Sequence, residues 1–231
     1  MNVPNVCIMG VGNVLWADEG FGVRTVEELN RHYQFGDNVE LIDGGTQGIY
    51  LVQHVQAADI LLVFDAIDYG LEPGTLKLVE GDDVPKFMGA KKMSLHQTGF
   101  QEVLSMAEML GDYPSHLLLV GVQPEFLEDY GGSLRDCVRA QIQPAIDAAL
   151  AWLENLGVSA QKRAEPLPDS QGLNPQQINI AAYESGRPSE QEACRVGDDR
   201  VLTDENTRFD PKPPEFEGQR FSVNVDHRQK D

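Results

Sequence analysis

The sequence alternates apolar segments of strand length with longer segments of helical periodicity, and this alternation constrains the fold more than any other feature. Three of the apolar segments, Val6–Val11, Asp59–Ala66 and Leu117–Val122, are almost continuously hydrophobic. Such strands are typical of a parallel sheet that is buried on both faces. Two further strands are predicted at Val39–Asp43 and Thr75–Val79.

Helical segments lie between and after these strands. Four helices are predicted, at Phe21–Tyr33, at Ile49–Ala57, from Thr98 or Gly99 to Leu110, and at Leu134–Leu156. The last should begin at Ser133 as N-cap and end at Gly157. Pro144 lies inside it and should kink or split it. Strands alternating with helices predict a three-layer α/β/α sandwich with a mostly parallel twisted sheet.

The composition changes near residue 159. Seven of the 13 prolines fall in residues 160–231, where the periodicity also weakens. We therefore predict an α/β domain over residues 1–159 and a Pro-rich, mostly irregular extension over residues 160–231. No apolar run approaches the ~20 residues that span a bilayer, and no basic segment precedes the first apolar run. No membrane insertion and a cytoplasmic location are expected.

The charge distribution limits the class of partner. Residues 1–159 contain 23 acidic and 8 basic residues, within a chain whose net charge is −19. So acidic a domain argues against nucleic acid or an anionic membrane as partner. The three cysteines form no Cys-x-x-Cys pair, so neither a disulfide framework nor a zinc site is indicated.

A glycine turn follows the first strand. Gly10 and Gly12 permit a close backbone approach, and Asp18 and Glu19 lie between this turn and the next helix. A dinucleotide-binding turn would need a third glycine where Leu15 stands, and the acidic pair would repel a pyrophosphate. The turn is better suited to presenting a carboxylate.

Acidic side chains and one histidine are predicted at the carboxyl edge of the sheet, where ligands bind in open α/β folds. They are Asp18, Glu19, Asp43, Asp65, Asp68, His96 and Glu125. Two carboxylates and an imidazole suit a divalent ion such as nickel or zinc. Alternatively, Asp18 caps a helix, Asp43 and Asp65 bind turn backbone, and His96 is an ordinary loop residue. Spacing alone leaves both interpretations open, and no Gly-x-Ser-x-Gly or His-Glu-x-x-His motif is present.

Five segments resemble the [NiFe]-hydrogenase maturation endopeptidases, and the likeness covers about residues 5–157. The segments are Gly10–Arg24, Asp43–Gly48, Asp65–Asp68, Ser94–Gly99 and Val120–Glu125. In the extension, Arg187–Ser189 and Ala193–Asp198 resemble the tail of the members that serve membrane-bound uptake hydrogenases.

The resemblance implies a phosphorylase/hydrolase-like α/β fold and a specific proteolytic reaction. The enzyme would remove a C-terminal extension from the [NiFe]-hydrogenase large-subunit precursor after nickel insertion. The family's metal-contacting and catalytic positions fall on Glu19, Asp65 and His96. Its substrate-recognition loop falls on Asp43, Gly44, Gly45 and Thr46. The nickel would arrive with the precursor, so no permanent cofactor is expected.

Two alternatives to this function remain at this point. One is a self-contained metallopeptidase with its own bound metal. The other is a non-catalytic chaperone that senses the nickel state of the precursor. Within the acidic pair, we expect Asp18 to cap the helix and shape the loop, and Glu19 to face the metal. The sequence leaves open whether Glu19 or Asp65 is the general base.

Overall fold

The structure is a computed structural model that describes residues 3–85, 95–127 and 129–187, and only the backbone of residues 95–99. A five-stranded sheet forms its centre. The strands of this sheet are β1 (Val6–Val11), β3 (Val39–Gly45), β4 (Ile60–Ala66), β5 (Leu76–Glu80) and β6 (His116–Val122). They lie within one or two residues of the predicted segments. The three continuous apolar runs form β1, β4 and β6, which are buried on both faces, whereas β3 and β5 are partly exposed.

The sheet has the order β3-β1-β4-β6-β5. The pairs β1–β3, β1–β4 and β4–β6 are parallel, and the edge strand β5 is antiparallel to β6. The predicted mostly parallel α/β sheet is therefore confirmed.

Helices cover both faces of the sheet. They are α1 (Phe21–His32), α2 (Val52–Ala57), α3 (Leu95–Leu110), α4 (Asp136–Arg139) and α5 (Ile142–Asn155). One apolar core lies between the sheet and α1 with α5, and a second lies between the sheet and α2 with α3. Even-numbered residues of β4 face the first core and odd-numbered residues face the second, as the two-residue period of a strand requires.

Two glycines allow β1 and α1 to approach at backbone distance. An ideal Cβ on Gly10 would lie 2.2 Å from the carbonyl oxygen of Gly22. An ideal Cβ on Gly22 would lie 2.2 Å from the oxygen of Phe64 and 2.3 Å from that of Val11. Since these neighbours are main-chain atoms, they have little freedom to move aside. The start of α1 is therefore fixed directly against the sheet.

The predicted helix at 134–156 is divided into α4 and α5. Pro144 occupies the first turn of α5, where its missing N–H costs no helical hydrogen bond. The division predicted from this proline is confirmed. The N-cap prediction for Ser133 is wrong, because α4 follows Arg135 and the Ser133 hydroxyl donates to Glu184 instead. The predicted end at Gly157 is confirmed by its φ of 78°.

Helix α3 begins earlier than predicted. The sequence suggested a start at Thr98 or Gly99, whereas the helix begins at Leu95 and includes His96 in its first turn. His96 therefore belongs to a helix and not to an irregular segment. Gly111, with φ of 88°, ends the helix as predicted.

The first part of the predicted extension contacts the α/β layer. Gln161–Lys162 (β7) pairs with Tyr33–Gln34 (β2), and a short helix α6 follows at Ile180–Gly186. The described residues of the extension, 160–187, belong to the same compact unit as the α/β layers, and residues 188–231 lie outside the described residues. The boundary at residue 159 stays a prediction, and the tail motif at 193–198 also lies outside the described residues.

The length and hydropathy of the helices bear on whether the chain has a membrane-spanning segment. Within the described residues, none is long and apolar enough to cross a bilayer. The cytoplasmic location stays a prediction.

The contact between Gly22 and the sheet leads to a stability prediction. Gly22→Ala should lower the free energy of unfolding by roughly 3 kcal/mol, because its methyl group overlaps two carbonyl oxygens. Gly186→Ala is the matched control, since nothing lies within 4 Å of its ideal Cβ. The control should be neutral or stabilising by about 0.5 kcal/mol in urea unfolding. Equal effects of the two substitutions would contradict the proposed backbone contact.

Candidate active site at the carboxyl edge of the sheet

Glu19 lies in a 3-10 turn, Ala17–Gly20, between β1 and α1. Its side chain is half-buried, and its amide N–H donates to the oxygen of Trp16 at 2.9 Å. Gly12, with φ of 131°, lies against this turn: an ideal Cβ there would be 1.8 Å from the oxygen of Glu19. The same point lies 3.9 Å from Asp65 Oδ1. The absence of a side chain at Gly12 therefore allows the Glu19 turn and Asp65 to come together.

Asp18 is fully buried and holds a second loop in place. Its Oδ2 accepts the amide N–H groups of Glu125 and Phe126, both at 2.9 Å. Its Oδ1 accepts the amide N–H of Arg135 at 2.7 Å. Hydrogen bonds to an ionised carboxylate are among the stronger ones in proteins. The expected loop-shaping role of Asp18 is thus present, although it joins two loops and does not cap its own helix.

The backbone is strained one residue before Asp18. Ala17 has a φ of 41° and is buried. A left-handed conformation at a residue with a Cβ costs of order 1 kcal/mol or more. The surrounding hydrogen bonds of Asp18 hold the turn in this conformation.

Asp65 is the penultimate residue of β4 and has no solvent-exposed surface. Its Oδ1 accepts the amide N–H of Ala66 at 2.8 Å. Asp65 has the same parity as Leu61 and Val63, which pack against α3, so its side chain is on the α3 face of the sheet.

His96 is placed by its backbone alone. The end of α3 lies at the amino edge of the sheet, because Gln56 at the end of α2 contacts Asp112 just after α3. The first turn of α3, which contains His96, is therefore at the opposite, carboxyl edge. His96 precedes Phe100 by one turn, and Phe100 is buried against the α3 face. The side chain of His96 lies outside the described part of the chain, so its contact with Asp65 stays a prediction.

The predicted recognition loop divides into two parts. Gly44 and Gly45 lie beside the glycine turn, where the Gly12 N–H donates to the oxygen of Gly45 at 3.0 Å. Thr46 is exposed. Asp43 is in register with Gly10, and its carboxyl faces α1, on the opposite face of the sheet from Asp65. Burial raises the pKa of Asp43, and a hydrogen bond from Asn174 opposes this. Substrate binding by these four residues stays a prediction.

Two other acids of the predicted cleft have structural contacts. Asp68 Oδ1 accepts from the N–H of Gly70 at 2.9 Å and from Gln123 at 3.1 Å. Glu125 is exposed, and its Oε2 accepts from Cys137 Sγ at 3.0 Å. Both residues border the edge of the sheet without approaching Gly12 in any described contact.

The cysteines have environments that disfavour the reactive thiolate. Burial raises the pKa of Cys7 to about 12, and burial together with Glu125 raises that of Cys137 to about 11. Since the thiolate is the nucleophile, neither thiol suits nucleophilic catalysis at neutral pH.

Sequence reasoning did not select Tyr69, which lies near Asp65. An ideal Cβ on Gly121 would be 2.5 Å from the Tyr69 hydroxyl, and Gly121 is the register partner of Asp65. Burial and the charge of Asp65 raise the pKa of Tyr69. Glycine inside a buried strand often marks such a close approach, so Gly121 was the feature of the sequence that could have indicated a large side chain packed at this position.

Exposed apolar side chains occur in the segments that follow the carboxyl ends of β1, β3, β4 and β6, and they are here called the apolar rim. Its members are Leu15, Ile49, Tyr50, Leu71, Phe126 and Tyr130. The rings of Trp16 and Tyr130 pack edge to face at 5.4 Å, which joins one side of the rim to the Glu19 turn. A rim of exposed apolar groups next to a polar site is typical of a protein-binding surface.

Metal binding can be tested against the described side chains, which exclude that of His96. Among them, no group of three His, Cys, Asp or Glu residues could hold a metal ion. If Glu19 and Asp65 bind a metal, a third ligand must therefore come from outside this set. Alternatively, the metal is already held by a partner, and the two carboxylates add to its ligands.

Comparisons with known proteins give the family. A family model for hydrogenase maturation proteases matches residues 23–152. A hydrogenase expression/formation protein of Thiocapsa roseopersicina is 60% identical over 205 residues, which are 89% of this chain and 93% of the relative. One of Azotobacter vinelandii is 61% identical over 202 residues, covering 87% and 96%.

A solved structure agrees with these matches. The hydrogenase maturating endopeptidase of Escherichia coli superimposes with a TM-score of 0.66 and 40% identity, covering 69% of this chain and 98% of that one. The fold and these matches define a peptidase. The chain belongs to the hydrogenase maturation protease family. The family resemblance and the α/β fold predicted from the sequence are both confirmed.

The hydrogen bonds of Asp18 lead to a second prediction. Asp18→Ala should lower the free energy of unfolding by about 3 kcal/mol, because three amide N–H groups lose a charged acceptor. It should also increase hydrogen exchange in residues 125–135. Glu19→Gln, one position away, is the matched control and should change stability by less than about 0.5 kcal/mol. Similar losses in both variants would argue against a separate structural role for Asp18.

The burial of Asp43 leads to a pH prediction. Because its pKa is raised in the folded state, the folded protein binds the proton more tightly than the unfolded chain. The contribution of Asp43 to stability therefore falls as pH rises above about 4, the ordinary value for aspartate. The stability of Asp43→Asn relative to the parent should increase between pH 4 and 7 in urea unfolding. A difference that stays constant with pH would contradict this prediction.

Proposed function

We propose that this protein cleaves a C-terminal extension from the large-subunit precursor of a [NiFe]-hydrogenase, and that nickel in the precursor marks the substrate. Glu19, Asp65 and His96 would contact this nickel, which belongs to the substrate and is not a resident cofactor. The observation that carries the proposal is the convergence of the Glu19 turn and Asp65 on Gly12. Family membership supports the reaction class.

The ligand chemistry supports this assignment. Carboxylate oxygen and imidazole nitrogen suit a borderline divalent ion such as nickel. An ionised carboxylate away from water is costly unless it is hydrogen-bonded, ion-paired or bound to a metal. Asp65 is fully buried at the carboxyl edge of the sheet and already accepts the Ala66 N–H, and its carboxylate would serve as an oxygen ligand to the substrate's nickel. When bound, the nickel would contribute recognition and Lewis acidity.

Glu19 is the better candidate for the general base. Its side chain is partly exposed, whereas Asp65 is buried and its Oδ1 already accepts the Ala66 N–H. A base that activates water needs access to that water and a pKa near the working pH. Asp65 would then orient the substrate's metal, and Glu19 would take the proton of the attacking water.

The polypeptide around the scissile bond would contact the apolar rim and the loop Asp43–Thr46. Both belong to segments at or after the carboxyl ends of strands of the sheet, and Trp16 and Tyr130 join the rim to the Glu19 turn. A hydrogenase subunit is the partner that family membership suggests, and its large-subunit precursor is the specific partner proposed.

The test is incubation of the purified protein with the precursor, with and without nickel, followed by mass spectrometry of the subunit. Cleavage is expected only of the nickel-loaded precursor. Asp65→Asn and Glu19→Gln should each reduce the cleavage rate by on the order of 100-fold or more. Efficient cleavage of a folded, nickel-free precursor would exclude recognition through nickel.

Two further measurements separate the alternatives. Stoichiometric metal in the protein purified alone would favour a self-contained metallopeptidase. Variants Glu19→Gln and His96→Ala that bind precursor while processing continues would show that these side chains are not catalytic, as a nickel-sensing chaperone requires.

A further inference from the structure

Part of the C-terminal extension contacts two segments that fix the turn of Glu19: the start of helix α1 and the loop that follows β6. This part, residues 174–187, is here called the clamp segment. It lies beyond residue 152, where the match to the family model ends. Its contacts are therefore additional to those within the segment that the family model matches.

The clamp segment contacts the start of α1. Arg24 is only 3% exposed, and its Nη1 donates to the oxygen of Ile178 at 2.7 Å. The Arg24 guanidinium lies 5.7 Å from the centre of the Tyr183 ring. Asn174 donates to Glu27 Oε1 at 2.7 Å. Since α1 begins at Phe21, these contacts fix a helix that starts two residues after Glu19.

The clamp segment also contacts the loop that follows β6. The Tyr183 hydroxyl donates to the oxygen of Gly132 at 3.0 Å. Glu184 Oε1 accepts from the Ser133 hydroxyl at 2.5 Å and from the Arg139 guanidinium. Burial acts to raise the pKa of Glu184, but the hydrogen bonds from Ser133 and Arg139 and the charge of Arg139 together outweigh it and lower the pKa.

The same loop is the one that Asp18 holds from the other side. Arg135, whose amide N–H donates to Asp18 Oδ1, is two residues beyond Ser133. The loop is thus fixed between Asp18 and the clamp segment. A displacement of Gly132 and Ser133 would carry the donors of Asp18 with it, and Glu19 is the next residue in the chain.

We propose that the clamp segment is a positioning element that sets the place of Glu19 relative to Asp65. Tyr183 and Glu184 are its main positioning residues, and they act through the loop and not on the substrate. This inference rests on the proposed function, since it assigns the consequence of the contact to cleavage of the precursor.

A positioning role and a purely structural role predict different measurements. Arg139 and Glu184 are each about one-third exposed, and ion pairs at such positions contribute little to global stability. Small displacements of a reacting group, in contrast, have large effects on rate. Loosening the clamp should therefore reduce kcat far more than it changes the unfolding midpoint.

The experiment uses the full chain with Glu184→Gln and Tyr183→Phe, and with Glu165→Gln as control. Glu165 is an exposed glutamate of the same extension. Both clamp variants should reduce kcat for the nickel-loaded precursor roughly tenfold, with KM changed less than twofold and the thermal midpoint nearly unchanged. Hydrogen exchange in residues 125–135 should become faster. The control should match the parent in all of these measurements.

Charge exchange provides a rescue. The double variant Arg139→Glu with Glu184→Arg should recover most of the lost kcat, whereas each single variant should not. An unchanged kcat in a variant whose loop exchanges faster would overturn the inference, as would a loss of kcat that parallels global destabilisation. Hydrogen exchange does not depend on cleavage. If the parent protein failed to cleave any precursor, the proposed function would fail while the clamp contact could still be measured.

Discussion

The candidate site depends on the three hydrogen bonds that the Asp18 carboxylate accepts from main-chain N–H groups. This carboxylate joins the turn after β1 to the loop after β6, and these two strands lie on either side of β4 in the sheet. The bridge therefore passes the carboxyl end of β4, where Asp65 is located. Glu19 follows Asp18 directly, so the same three hydrogen bonds that connect the loops also fix the backbone turn of Glu19, which lies with Asp65 beside Gly12. A buried charge with several amide donors is rigid enough for this purpose, since moving it would leave both partners unsatisfied.

Close backbone contacts provide the rest of the framework. Gly10 and Gly22 place α1 against the sheet, and Gly12 lets the Glu19 turn approach Asp65. The strained Ala17 shows that the turn does not adopt this shape by local preference. The conformation is maintained by tertiary hydrogen bonds. The clamp segment adds to them from a part of the chain outside the matched family domain, through contacts with α1 and with the loop after β6.

Neighbouring acids in the sequence have very different environments in the fold. Asp18 is buried among amide donors, while Glu19 next to it is partly exposed. Asp43 and Asp65 both lie near the carboxyl ends of parallel strands, yet they face opposite layers because their register positions differ by one residue. This explains why the acids that the sequence places at strand ends do not all face the same layer of the sheet. Which face of the sheet a side chain occupies, relative to a residue on another strand, depends on the register between the two strands. Register is set by contacts between residues that are far apart in the sequence.

The sequence by itself determined the strands, the mostly parallel sheet and the family. Continuous apolar runs mark the strands that are buried on both faces. The glycine and acidic motifs are local patterns, so they can be recognised from the sequence alone. It also predicted that Pro144 divides a helix, because proline acts on its own backbone. Tertiary structure alone decided that Ser133 binds Glu184 instead of capping α4, that Tyr69 occupies the space beside Gly121, and that residues 174–187 reach the loop held by Asp18. These contacts join residues far apart in the chain, and no local pattern encodes which of them meet.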